Sequence, residues 1–125
     1  MKREAKFTML FRHWLRAFPR ESAAFELKQT TTDSIPFSDV QEHQIDALLA
    51  VKDDVFTYKI SDESRGIKPF DMFTLNKAQA YVVIKYPKFF VLIDIDDFVT
   101  EKQNSIRRSL TSSRAKEIST QVVEL

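Results

Sequence analysis

Glu26 and Lys28 stand two residues apart in Ala23-Ala24-Phe25-Glu26-Leu27-Lys28-Gln29-Thr30, where an apolar run gains a carboxylate, an ammonium, a carboxamide and a hydroxyl. On a strand, alternate side chains share a face, so Glu26 and Lys28 point one way and Phe25 and Leu27 the other, into a core. Removing a carboxylate and an ammonium from water is costly unless something uses them. A bound divalent cation with a water to activate would use both. The plain alternative is a strand on the solvated side of a sheet, where a Glu/Lys pair is ordinary.

The remaining residue types narrow the chemistry. There is no cysteine, so disulfides and thiolate metal sites are excluded. His13 and His43 are too few for a histidine-rich zinc site. A metal held here is held by carboxylates, which suits Mg2+ or Mn2+. Asp94, Asp96 and Asp97 form an acidic cluster, but at the end of an apolar run such a group reads as a turn or helix start.

The elements that must position Glu26 and Lys28 follow from periodicity. Glu4 to Phe18 reads as an amphipathic helix, with Phe7, Leu10, Phe11, Trp14, Leu15 and Phe18 at three- and four-residue spacing and Pro19 ending the run. Arg12, Arg16 and Arg20 lie four apart beside that stripe, placed to touch phosphates. His13 reads as a packing or hydrogen-bonding residue at the helix edge. Ala23 to Thr30 is the first strand, and a polar connection follows to Pro36. Ser38 or Asp39 is expected to cap the next helix, with Gln41 or Glu42 as the capping-box partner. That helix runs to about Val51 on an apolar face of Val40, Ile45, Leu48 and Leu49. Gln44 falls near this face and needs a partner, for which the strand bearing Glu26 and Lys28 is the nearest candidate.

Downstream, Val55 to Ile60 reads as a short strand and 62–69 as a polar loop. Phe70 to Leu75, an Asn76-Lys77 turn and Ala80 to Tyr86 read as a hairpin. Phe89 to Ile95 is a further strand, and a polar helical or irregular tail begins at Asp96. A mixed α/β (α+β) fold is expected, with a small mixed sheet flanked by helices.

With 125 residues, 43 % apolar content and eleven Phe, the chain has enough to build one real core. The net charge of +1 hides an uneven distribution. Residues 1–20 carry six basic groups against one acid, residues 21–100 eight against fourteen, and residues 101–125 five against three. Cationic ends around an acidic middle suit a polyanion partner and a carboxylate cation site, although a pI near 8.0 fits a plain solvated surface as well. No run at the amino terminus is long enough for a signal peptide and no segment approaches a membrane span, so an intracellular, cytoplasmic protein with no membrane contact is expected.

Taken together, Phe25-Glu26-Leu27-Lys28-Gln29-Thr30, Ile35-Pro36-Phe37 and Glu42-His43-Gln44-Ile45 resemble the core of Holliday-junction resolvases of the RecU kind, in the PD-(D/E)XK nuclease superfamily. Ala80-Tyr-Val-Val-Ile-Lys-Tyr86 and Phe89-Phe-Val-Leu-Ile-Asp94 resemble the closing strands of that restriction-endonuclease-like fold. The resemblance covers roughly residues 20 to 98.

The resemblance implies that Glu26 ligates a metal, that Lys28 orients or deprotonates the attacking water, and that Gln44 supports the site or touches a substrate phosphate. In-line phosphodiester hydrolysis needs those parts: a polarising cation, an activated water and stabilisation of the leaving oxygen. One departure stands out. The family's aspartate strand precedes the Glu-x-Lys strand, and Phe18 and Glu26 are too close to hold it. Asp71 in Lys68-Pro-Phe-Asp71 is the best substitute, from a hairpin that would follow the Gln44 helix. Asp62 is second choice, and Glu4 could add a carboxylate from the first helix. A competing arrangement pairs Asp71 with Lys85, with Val83 at the usual Glu position and Glu26 filling in from a neighbouring strand.

The resulting expectation is a Mg2+- (or Mn2+-) dependent endonuclease acting on branched DNA such as a four-way junction, as a homodimer with two sites for paired nicks. Arg12, Arg16, Arg20, Lys68, Arg107 and Arg108 are the expected DNA-backbone contacts. Residues 1–100 would form the nuclease-like domain and 101–125 a basic polar tail or helix. A general nuclease of the same superfamily without junction preference, and a nuclease-fold DNA-binding protein that has lost activity, are the alternatives. Small size suits a phage or mobile-element protein.

Overall fold

The computed structural model describes residues 3–16, 23–53, 56–59, 72–75 and 78–125. Helix α1 (Arg3–Leu15) is followed by strands β1 (Ala23–Gln29) and β2 (Ser34–Pro36), a 3-10 turn (Phe37–Asp39) and helix α2 (Glu42–Asp53). Next come β3 (Phe56–Lys59), β4 (Met72–Leu75), β5 (Gln79–Tyr86), β6 (Phe89–Asp94), α3 (Ile95–Asn104), β7 (Ser109–Thr111), α4 (Ser112–Ile118) and β8 (Gln121–Glu124). The fold is mixed α/β.

The main sheet has the order β1-β5-β6-β8, with β1 parallel to β5 and the other two pairings antiparallel. A parallel neighbour requires a crossover, and α2 supplies it. Both faces of the sheet are covered, and alternation along each strand divides the core in two. Val82, Ile84, Phe89, Val91 and Ile93 face α2 and α3, together with Ile45, Leu48, Ile95 and Phe98. Val83, Phe90 and Leu92 face α1, where they meet Phe7, Phe11, Phe25 and Leu27. Phe11 packs edge-on against Phe25 and Phe90, with ring centroids 5.0 and 5.8 Å apart. Such pairs add about 0.5–1.5 kcal/mol each beyond the area they bury.

Several expectations change. Helix α1 ends at Leu15, and Leu10 is exposed: the buried stripe is Phe7 and Phe11 with Trp14 and Leu15 beside them, one face of a 3.6-residue period. Phe18 and Pro19 lie outside the described residues. Met72–Leu75 pairs antiparallel with Phe56–Lys59, not with the strand after Asn76. The strand β5 takes β1 and β6 as neighbours instead, because its residues are buried on both faces and belong inside a sheet. The Ala78 N–H donates to the Val51 carbonyl at 3.2 Å, so the start of β5 is held beside the last turn of α2.

Helix α2 begins at Glu42, after the buried Phe37 and Val40 have held 37–39 in a tight turn. Its N-terminal bond is not made by Ser38 or Asp39. Gln44 Oε1 accepts from the Gln41 N–H at 2.9 Å, the returning half of a capping box with Gln44 at its third helical position.

Residues 101–125 are part of the same unit. Strand β7 pairs with β2, burying Leu110 against Ile35, and β8 pairs with β6 to complete the sheet. Tyr86 Oη donates to the Leu110 carbonyl at 2.9 Å, and Ala115 of α4 is fully buried. No helix among the described residues is long and apolar enough to cross a membrane.

Candidate functional site

The parallel register sets Glu26 beside Val82 and Lys28 beside Ile84, so both side chains lie on the sheet face covered by α2. Phe25 and Leu27 occupy the opposite face under α1. Glu26 and Lys28 are part-buried, at 29 % and 22 % side-chain exposure. Lys28 Nζ lies 3.3 Å from Glu26 Oε1. Gln44 Nε2 donates to the same Oε1 at 2.8 Å. Three residues singled out in the sequence, from a strand and from the first turn of the following helix, therefore meet at one carboxylate oxygen.

The Gln44 amide has one sensible orientation. Its Oε1 is engaged by the Gln41 N–H, which turns Nε2 toward Glu26. The capping residue of α2 is thus also the residue that steadies the carboxylate.

Other candidates fall elsewhere. Lys85 pairs in register with Gln29, one residue past Lys28, so it projects from the α1 side of the sheet, and Val83 is fully buried there. The arrangement that borrows Glu26 to complete a Lys85 site fails on this geometry. Glu4 rides on α1, which packs on the face opposite Glu26. Asp71, Asp62, Lys68 and Arg20 lie outside the described residues. Among the described residues, no three His, Cys, Asp or Glu side chains group closely enough to hold a metal ion.

The acidic cluster is a helix start. Asp94 caps α3 by accepting from the Asp96 N–H at 2.9 Å, and Lys52 from the end of α2 binds Asp94 Oδ1 at 2.6 Å and Asp96 as well. The hydrogen bond to Asp94, then that to Asp96, raises the Lys52 pKa above the ordinary lysine value. Two helices and a strand end are joined through one ammonium.

Of the expected backbone contacts, Arg12 on α1 and Arg16 just after its end are exposed and line, with Met9 and His13, an open cavity of about 330 Å3. Arg107 and Arg108 are exposed in the connection between α3 and β7. Arg107 borders a second open groove, of about 500 Å3, together with Glu101, Asn104, Ile106 and Arg114. Arg114 grips Glu101 through two N–H groups at 2.9 and 3.0 Å and Glu117 through a third at 2.8 Å, and these bonds, Glu101 first, raise its pKa.

Two features went unread in the sequence. The double use of Gln44 was hidden because Ser38 and Asp39 looked like better caps. Ile106 gave no signal, being a single apolar residue in a polar stretch. No protein-family model matches this chain, and no curated protein matches its sequence.

Proposed function

We propose that this protein is a divalent-metal-dependent endonuclease that hydrolyses phosphodiester bonds in branched DNA, as Holliday-junction resolvases of the RecU kind do. The observation that carries the reading is the meeting of Glu26, Lys28 and Gln44 at one part-buried carboxylate. A plain surface ion pair does not need a helix-capping amide turned onto it. The order of these residues along the chain is the order in the resolvase core that the sequence resembles.

The Glu26 carboxylate is the kind of oxygen donor that a hard cation takes. Magnesium is bound by one or two carboxylates and completes its shell with water and phosphate oxygens. Glu26 supplies one carboxylate, steadied at Oε1 by Lys28 and Gln44, and Asp71 is the proposed second. A cation there would lower the pKa of its water and offset charge on the phosphoryl oxygens. Lys28 orients the attacking water and shares in neutralising the charge that develops as the bond to the leaving oxygen breaks. Gln44 keeps the Glu26 carboxylate from rotating. Arg12, Arg16, Arg107 and Arg108 contribute phosphate contacts, and a two-fold homodimer would cut two opposing strands.

The test is cleavage of a labelled four-way junction beside a linear duplex of the same sequence, with magnesium, manganese or chelator. Metal-dependent nicking of the junction that is lost in Glu26→Ala and Asp71→Ala is the expected result. Equal cutting of both substrates would make it a general nuclease. Tight junction binding without cleavage would leave a DNA-binding protein on a nuclease-like fold.

A further inference from the structure

Ile106 is the most exposed of the large apolar side chains among the described residues, at 101 %. It stands at the tip of a four-residue connection, 105–108, between α3 and β7. That connection is braced along its length. The Ser105 N–H donates to the Glu101 carbonyl at 2.9 Å, the Arg107 N–H to Ser105 Oγ at 3.1 Å, and the Phe37 N–H to the Arg108 carbonyl at 3.0 Å. Ile106 is thus presented to solvent on a fixed backbone, and its β-branched side chain has little rotamer freedom left to lose.

Two cations follow it directly. Arg107 and Arg108 are exposed, and among the described residues neither guanidinium has an ion-pair or hydrogen-bond partner. The bracing also ties this tip to the candidate site. Phe37, bonded to Arg108, opens the turn that leads into α2, and Lys102 of α3 pairs with Glu42 in the first turn of that helix at 2.7 Å. That same turn carries Gln44, which holds Glu26.

We propose that the 105–108 connection is a DNA wedge, in which Ile106 enters between bases at a branch point while Arg107 and Arg108 pair with the flanking phosphates. Apolar side chains on DNA-bound proteins separate base steps in this way, and neighbouring cations hold the backbone in register. The groove of about 500 Å3 that Ile106 and Arg107 border offers a place for a displaced base, since small-ligand pockets run from about 300 to 1,000 Å3. A branch point suits such a wedge because its bases are already partly unstacked, which makes insertion least costly there. The inference rests on the proposed action on branched DNA and names the part of the protein that recognises the branch.

The test uses the intact protein in chelator, where cleavage is stopped. Each of two DNAs, a four-way junction and a linear duplex, carries a fluorescent base analogue, at the branch in the first. The expected result is a rise in analogue fluorescence on binding the junction, abolished by Ile106→Ala with about a tenfold loss of junction affinity and little change for the duplex. Changing Arg107 and Arg108 together to Ala should weaken binding to both DNAs and reduce the salt slope by about 2. An Ile106→Ala protein that keeps the fluorescence rise and the junction affinity overturns the wedge. So does an Ile106-dependent attachment to anionic lipid vesicles with no effect on DNA. A protein that gives the Ile106-dependent signal yet cleaves nothing when metal is restored keeps the wedge and loses the nuclease reading. Ile106 touches no core, so its replacement leaves the fold intact, which a thermal melt verifies.

Discussion

Gln44 Nε2 sits 2.8 Å from Glu26 Oε1 while the other end of the same amide accepts from the Gln41 backbone N–H at 2.9 Å. One side chain thus starts a helix and fixes a carboxylate, and its two ends can be separated by substitution. Gln44→Ala removes both contacts: the lost cap should cost about 1 kcal/mol of stability, and, on the proposed role of Glu26 as a metal ligand, the released carboxylate about 10- to 100-fold in metal affinity. Gln44→Glu keeps an oxygen for the Gln41 N–H but sets a second carboxylate against Glu26. Its activity should be lower than wild type in the neutral range, with the pH profile displaced and the melting temperature nearer to wild type than that of Gln44→Ala. Thermal melts and pH profiles of the two variants check this.

The ammonium of Lys28 is part-exposed, and its pairing with Glu26 contributes little to folding, as exposed ion pairs are worth about 0–1 kcal/mol. Its proposed role is in the transition state. Lys28→Met should therefore melt within a few degrees of wild type yet lose about 100- to 1,000-fold in the rate of junction nicking, the range for removing one stabilising donor. Binding to the junction in chelator should change far less than the rate. A variant that lost binding and rate equally would move Lys28 from chemistry to substrate contact.

Much of this region could be read ahead of the structure because it obeys simple periods. Phe25 and Leu27 alternate with Glu26 and Lys28, and only one phase of a strand buries the first pair, as the register with β5 shows. Gln44 was traceable because a carboxamide on an apolar helix face needs a partner. The partner of Met72–Leu75 was not traceable. Asn76-Lys77 looks like a hairpin turn to the next strand, but Gln79–Tyr86 is buried on both faces and takes its neighbours from distant segments. The end of the chain misled for another reason. Gln121–Glu124 holds only two apolar residues and Ser109–Thr111 one, so neither carries a visible pattern, and both are strands through the edges they complete.

That reading makes the carboxyl-terminal segment structural. Removing residues 119–125 would strip β8 from β6 and uncover Phe90 and Leu92, which are now almost fully buried. Partly exposing two such side chains would forfeit about 2–4 kcal/mol of apolar burial, a large share of the stability of a domain this size. The truncated chain should show a lower melting temperature and bind hydrophobic dyes, whereas a dispensable tail would leave both unchanged.

Alkaline pH offers an independent probe of the core. Burial, and after it the charge of Asp33, raises the Tyr86 pKa far above the ordinary value of 10.0, because the phenol sits in the core donating to the Leu110 carbonyl. Lys52 is raised as well, above 10.5, by its bonds to Asp94 and Asp96. In both cases the folded state holds the proton more tightly than the unfolded chain does. Their contributions are complete below the unfolded values and are lost as pH rises beyond them, so stability should be flat through neutrality and fall above about pH 10. Tyr86→Phe should flatten part of that fall while lowering stability at neutral pH by about 1 kcal/mol, since the Leu110 carbonyl loses its donor. Lys52→Met should remove a smaller part, its ammonium being closer to solvent. Melting temperatures of the three proteins across neutral and alkaline pH decide the matter, and a Tyr86→Phe curve parallel to wild type would show that the alkaline transition starts elsewhere.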